Sequence, residues 1–146
     1  MNNLQFKLIN PLVYEEKVLK LLKQLNPEMD KNILKNTLTT MTEMSNYKCF
    51  ALFIKGELIG ISSGWTTVRI YCGKQLELDN VIIDSQIQSK GFGKSFINEI
   101  KQWSISNNYK SLGLNTYTEN SRSHKFYFNE GFKILGFHFE HKLNTY

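Results

Sequence analysis

Gln88, Gly91 and Gly93, with Lys90 and Lys94 interleaved, are the residues whose types and spacing first suggest chemistry. Glycines let a backbone approach a ligand closely or take a positive φ, and the two lysines add charge beside them. The apolar run Val81, Ile82, Ile83 precedes this stretch, and an amphipathic pattern through Phe96, Ile97, Ile100 and Trp103 follows it. A strand therefore hands over to a helix here. The first backbone N–H groups of a helix have no partners within it and carry the positive end of the macrodipole, so the junction suits a phosphate.

Three phosphate loops compete for this stretch. The nucleotide-hydrolase loop G-x-x-x-x-G-K-[ST] matches at Gly93, Lys94 and Ser95, but its first glycine would fall on Gln88. The dinucleotide fingerprint G-x-G-x-x-G begins at Gly91 and Gly93 and then meets Phe96 in place of its third glycine. Only Q/R-x-x-G-x-G/A is satisfied, by Gln88, Gly91 and Gly93.

A second constellation, Asn120 to Phe132, reads NSRSHKFYFNEGF. With the loop, it makes the chain resemble the GNAT superfamily of N-acetyltransferases, whose pattern after the fifth strand is N-x-x-[small]-x-x-F-Y-x-x-x-G-F. Asn120, Phe126, Tyr127, Gly131 and Phe132 meet it, while His124 stands where the family usually has a small residue. The resemblance runs from about Leu76 to Leu143 and implies acetyl-CoA as co-substrate. Under it, Gln88, Ser89, Lys90, Gly91, Phe92, Gly93 and Lys94 hold the pyrophosphate. The main chain of the Val81, Ile82, Ile83 run, chiefly Val81 and Ile83, meets the pantetheine arm, and a backbone N–H near Val81 serves the oxyanion. Asn120 and Phe126 lie beside the pantetheine, and Tyr127 is the general acid toward sulfur. A phenol of pKa about 10 is protonated at neutral pH and can donate. Glu77, eleven residues before Gln88, and Asp79 occupy the family's two acidic positions for the base. A primary amine of pKa about 10.4 is mostly protonated at neutral pH, so a carboxylate, directly or through water, can take its proton or attract the cation.

The surrounding elements follow from periodicity. Leu4, Phe6 and Leu8 alternate as a strand ending near Pro11. Tyr14, Val18, Leu21, Leu22 and Leu25 then share a helical face that Asn26-Pro27 closes. A second helix begins at the N-cap Asp30 and keeps Ile33, Leu34, Thr37, Leu38, Met41 and Met44 on one face. In an acyltransferase of this build the two helices flank the acceptor pocket. Cys49 to Ile54 and Leu58 to Trp65 form a hairpin about Lys55-Gly56-Glu57, with Val68, Ile70 and Tyr71 extending it and Cys72-Gly73-Lys74 turning the chain. Leu76 to Ile83 is the key strand. Strict alternation would put Glu77 and Asp79 on one face with Val81 and Ile83, so either both faces are covered or a bulge near Asn80 resets the register. Such a bulge would splay the strand from its neighbour and open a cleft. Asn107-Asn108 ends the following helix, Ser111 to Tyr117 is a strand joined to the key strand by a parallel crossover, and Phe132 through Phe137 and Phe139 to Leu143 reads as a final strand region. The expectation is an α/β (α+β) fold in a single domain over residues 1–146. It has a central mixed, mostly antiparallel sheet of six to seven strands and about four helices, and the resemblance implies a GNAT-like arrangement of these with a splayed CoA cleft.

Composition bounds the alternatives. A chain of 146 residues that is 41% hydrophobic and 13% aromatic can bury a core. Its start lacks a basic segment followed by an apolar one, and no run approaches a membrane span, which favours a cytoplasmic protein with no membrane partner. The net charge of +5 is spread along the chain rather than clustered, which disfavours nucleic acid and suits a ligand with several phosphates. Cys49 and Cys72 have no metal or redox spacing, and His138 and His141 would point to opposite strand faces, so no metal is implied. Cys72 lies in a turn, which leaves direct attack of the amine on the thioester in a ternary complex. The alternative class is a non-catalytic acyl-CoA-binding regulatory module. The acceptor amine is unspecified, and a homodimer is allowed by the resemblance without being specified by any residue.

Overall fold

The computed structural model describes residues 3–87 and 90–144 of the chain, which divides into two units, Met1–Leu114 and Asn115–Tyr146. The first unit is built on a five-stranded sheet in the order β1 (Leu4–Leu8), β2 (Tyr47–Ile54), β3 (Glu57–Arg69), β4 (Gly73–Ile83), β5 (Ser111–Leu114). The first four pair antiparallel, and β5 joins β4 in parallel after the crossover through α3 (Phe92–Ser106). The sheet is mixed and mostly antiparallel, as its pattern predicts.

Alternation along the strands sends side chains to two covered faces. On one face α1 (Glu15–Leu25) and α2 (Lys31–Thr42) bring Val18, Leu21, Leu22, Leu34 and Leu38 onto Cys49, Ala51, Phe53, Ile61 and Ile82. On the other, α3 sets Phe96 edge-on to Phe6 and Trp103 edge-on to Phe50. Phe50, Leu76, Phe96, Ile97 and Ile100 are fully buried. Each such side chain contributes roughly 1.5–3 kcal/mol, so the two-faced sheet holds the first unit together. Gly64 permits this packing: a Cβ there would stand 2.7 Å from the Phe50 ring and 3.0 Å from Leu76.

The second unit holds α4 (Ser121–Asn129). Asn120 caps it by accepting from the Ser123 N–H at 3.1 Å. Its C-terminus closes with Gly131 at φ 91°, the Gly131 N–H donating to Phe128 and the Phe132 N–H to Tyr127. That pair of bonds satisfies the last helical carbonyls and requires a residue able to turn left-handed.

The strand count departs from expectation. Val68 belongs to β3 itself, while Ile70 and Tyr71 sit exposed in the turn before β4. β5 ends at Leu114 rather than Tyr117, and the segment from Phe132 through Phe137, Phe139 and Leu143 forms no strand. Leu135, Phe137 and Phe139 alternate as a strand would, yet they are exposed. Alternation and β-propensity describe a side-chain pattern, and a strand exists only where a neighbour completes its hydrogen bonds.

Candidate active site

β4 changes character at Asn80. Up to Asp79 it follows β3 in one register, with Trp65 opposite Glu77 and Ser63 opposite Asp79. Beyond it Ile61 stands opposite Ile82, so Asn80 and Val81 together face the single residue Ser62. This is a β-bulge, and Asn80 takes the left-handed conformation it needs, φ 53°, which Asn tolerates better than most residues. The physical cause lies in the sequence. Without the extra residue, Ile82 would leave the α1/α2 face, where it is buried, and Val81 and Ile83 would follow the carboxylates onto it. The bulge returns Ile82 to the core, while Glu77 and Asp79 ahead of it are half-buried and exposed respectively.

The same region frees an edge. The pairing of β5 with β4 ends at Leu78 opposite Leu114, and β4 continues through Asp79–Ile83 beyond it. Glu77 lies between Trp65 on β3 and Gly113 on β5, and its β5 partner contributes no side chain beside it. Asn80 Nδ2 donates to Asp79 Oδ2 at 3.2 Å, and among the described residues neither Glu77 nor Asp79 has an ion-pair partner.

After β4 the chain makes a 3-10 turn, Ser85–Ile87, and reaches α3. Gln88 and Ser89 lie outside the described residues. Lys90 and Gly91 are exposed, Phe92 is buried as the first residue of α3, Gly93 is half-buried and Lys94 exposed. Gly91 has φ 79°, the value that favours glycine, with no atom near where a Cβ would stand. α2 and α4 begin with the side-chain caps Asp30 and Asn120, whereas α3 begins at Gly91 with none. Its first N–H groups, on Phe92, Gly93 and Lys94, therefore have no side-chain acceptor from the N-cap.

The remaining predicted residues sit together on α4. Tyr127 is flanked edge-on by Phe126 at 5.1 Å and Phe132 at 5.4 Å between ring centroids. Burial pushes its hydroxyl up to about 12. A phenol in that state stays protonated throughout the physiological range and acts as a hydrogen-bond donor. Asn120 uses its Oδ1 in the helix cap, which leaves its Nδ2 as a donor. His124 Nε2 donates to the Tyr117 carbonyl at 2.9 Å, tying down the turn ahead of the helix.

Cys49 is buried and its thiol is pushed up to about 12 by desolvation, so it is no thiolate nucleophile. Among the described residues no group of three or more His, Cys, Asp or Glu could hold a metal ion. A cavity of about 350 Å³ lined by Leu4, Phe6, Leu52, Ser95 and Glu99 contains none of the predicted site residues.

The chain matches the Acetyltransferase (GNAT) family over residues 15–132, a span that includes the bulged strand, the glycine loop and α4. It belongs to that family. "Uncharacterized N-acetyltransferase YhdJ" of Bacillus subtilis (strain 168) is 22% identical over 120 residues, covering 82% of this chain and 84% of that one. The fold is shared with a GNAT family acetyltransferase of Staphylococcus aureus, at TM-score 0.78 and 20% identity over 97% of this chain and 99% of the other. It is shared too with aminoglycoside N-acetyltransferase AAC(6')-Iy in complex with CoA, at TM-score 0.79 and 18% identity over 97% and 95%. No helix among the described residues is long and apolar enough to cross a membrane.

Within this GNAT chain the sequence reading missed two features. Tyr47 and Trp65 pack at 5.0 Å between centroids in the same cross-strand row as Glu77, on the α1/α2 face. The Tyr47 hydroxyl lies 3.4 Å from Ser63 Oγ, and burial raises it well above the ordinary tyrosine range. Hairpin register could have found this pair had the irregularity between Leu52 and Phe53 been known. The second feature is Asp84, whose carboxyl the ammonium of Lys17 holds down to about 2. Nothing local in the sequence joins those two residues.

Proposed function

We propose that the chain transfers an acetyl group from acetyl-CoA to a primary amine by direct attack in a ternary complex, within one domain that takes in both units. The observation that carries this reading is the bulge at Asn80–Val81 on a strand, β4, that continues past its last pairing with β5 and is followed along the chain by α3 with no side-chain cap, in a GNAT family member. The proposal is that the main chain of Val81, Ile82 and Ile83 holds the pantetheine arm, with a backbone N–H near Val81 stabilising the oxyanion. Gln88, Ser89, Lys90, Gly91, Phe92, Gly93 and Lys94 hold the pyrophosphate, with lysine charge and backbone N–H groups as donors. Asn120 and Phe126 serve the cofactor from α4.

In the proposed step the amine nitrogen attacks the thioester carbon, the C–S bond breaks, the nitrogen loses a proton and the sulfur gains one. Glu77, or Asp79 through water, accepts the amine proton. Tyr127 donates a hydrogen bond to the departing sulfur. A hydroxyl of pKa about 12 is a weaker acid than a thiol of about 8.5, so Tyr127 stabilises the developing thiolate while the proton released by the amine completes the product. The buried thiol of Cys49 supports direct transfer over an acetyl-cysteine intermediate. The reaction belongs where acetyl-CoA is held, in the cytoplasm. The fold shared with an aminoglycoside N-acetyltransferase brings amino sugars into the acceptor screen beside polyamines, amino acids and peptide amines. Thiol release from acetyl-CoA, measured against that amine panel, tests the reading. Release dependent on one class of amine is expected. CoA binding with no release on any amine would leave the non-catalytic binding module instead.

A further inference from the structure

Asp84 is buried at the end of β4, with Lys17 and Gln24 of α1 both on its carboxylate: Lys17 Nζ at 2.6 Å from Oδ2 and Gln24 Nε2 at 3.2 Å from Oδ1. Lys17 and Gln24 are two helical turns apart, so one face of α1 presents both. The Gln24 side chain also accepts from the Ser85 N–H at 2.9 Å through its Oε1. The Gln86 N–H donates to Asp84 Oδ1 at 3.1 Å, the Ile87 N–H to the Asp84 carbonyl at 3.0 Å, and the Asp84 N–H to Ile59 at 2.8 Å. Four successive amides, from Asp84 to Ile87, are thus engaged within the protein.

A buried ion pair seldom adds net stability over well-packed apolar residues, because desolvating both charges offsets their attraction. What it does supply is a directional contact that fixes the position of its partners. We propose that Lys17, Gln24 and Asp84 are positioning residues that clamp the chain between β4 and α3 from the side of α1. The clamp sets the position of the start of α3, from Lys90 onward, relative to the pyrophosphate. It rests on the reading of that segment as the phosphate loop. It also divides the connection: residues 84–87 spend their N–H groups on the protein, so among the described residues the phosphate donors are those from Lys90 onward. Because α1 covers the sheet face that carries Glu77 and Asp79, the clamp links the acceptor side of the molecule to its cofactor loop.

Calorimetric titration of the full chain with CoA tests this, using the apolar pair Lys17→Met/Asp84→Leu, the single variant Gln24→Ala and the conservative Lys17→Arg. The apolar pair is expected to keep its melting midpoint and kcat at saturating acetyl-CoA while binding CoA about ten-fold more weakly, or ~1.4 kcal/mol. Gln24→Ala, which leaves both charges in place and remains readable if the pair fails to fold, is expected to weaken CoA binding by about three-fold. Lys17→Arg stays within about two-fold of the unaltered chain. Unaltered protein that binds CoA, alongside folded variants of unchanged affinity, would overturn the clamp alone. Unaltered protein that fails to bind CoA would overturn the phosphate-loop reading and the clamp with it.

Discussion

Two regions, Glu77 to Lys94 without Gln88 and Ser89, which lie outside the described residues, and Asn120 to Phe132, are ordered by opposite means. The first depends on long-range partners: β3 sets the register of β4 across the bulge, β5 stops short, and α1 reaches Asp84 across 67 residues of chain. The second is ordered by contacts a few residues apart, with Asn120 capping Ser123, His124 returning to Tyr117 and Phe132 closing onto Tyr127. The two also offer different things to a ligand. Under the proposed function the first presents backbone and charge, so apart from the candidate bases Glu77 and Asp79 side-chain identity matters there chiefly through the φ values it permits. The second, under the same proposal, presents the Tyr127 hydroxyl, so its identity matters directly. A substitution at the bulge or the loop glycines should therefore act through geometry, and one at Tyr127 through chemistry.

Tyr127→Phe gives the largest expected effect and the sharpest break in the comparison. It removes the hydroxyl and keeps the ring between Phe126 and Phe132, so kcat is expected to fall about 100-fold in a thiol-release assay with the CoA dissociation constant unchanged. Unchanged turnover would remove Tyr127 from the reaction. Gly91→Val should do the reverse. At φ 79° a β-branched residue is strained, so the start of α3 shifts, and the KM for acetyl-CoA rises about ten-fold or more while kcat changes little. A kcat effect as large as that of Tyr127→Phe would erase the distinction between the regions.

Asn80→Val probes the bulge. Forcing a β-branched residue to φ 53° should cost about 1–2 kcal/mol in denaturant unfolding, whereas Asn80→Gly should be close to neutral. Equal effects of the two would show that the register does not depend on that conformation. Acid tests the long-range anchor. The Asp84 carboxyl lies near 2 in the folded chain against 3.8 when free, so its contribution is present above pH about 4 and is lost as pH falls from there toward 2. It amounts to about 1–2 kcal/mol, reduced by the partial exposure of Lys17, and an Asp84→Asn variant should show a correspondingly flatter acid limb. The smallest effect expected is that of Asn120→Ala. Loss of the cap should cost about 1 kcal/mol locally, read as faster amide exchange in the first turn of α4 with α1 to α3 unaffected. Exchange accelerating across the first unit as well would mean that α4 is not ordered by local contacts alone.

Legibility in the sequence follows the same division. The centres of the α1 and α2 faces, the Asp30 cap, the hairpin at Lys55-Gly56 and the glycine N-cap opening α3 were readable because each depends on residues within one or two turns of chain. Tyr14, Leu25, Thr37 and Met44, read onto the same helix faces, are instead exposed. The bulge was readable as an alternative, since the conflict between Glu77, Asp79 and the apolar run had only two resolutions. The segment around Phe137 and Phe139 misled, because alternation carries no information about whether a partner strand is available. The row of Tyr47, Trp65 and Glu77 stayed hidden behind a register shift on β2, and the contact of Lys17 with Asp84 behind sequence distance.

By itself the sequence determined the chemistry-bearing residue types, their order along the chain and the local turns and caps that glycine, asparagine and aspartate impose, because those depend on steric limits and hydrogen bonds within a few residues. The tertiary structure alone decided which of the two resolutions of β4 is real, where β5 stops and which amides before α3 are already occupied. Each of those outcomes depends on pairing between segments whose separation in the chain no local rule can span.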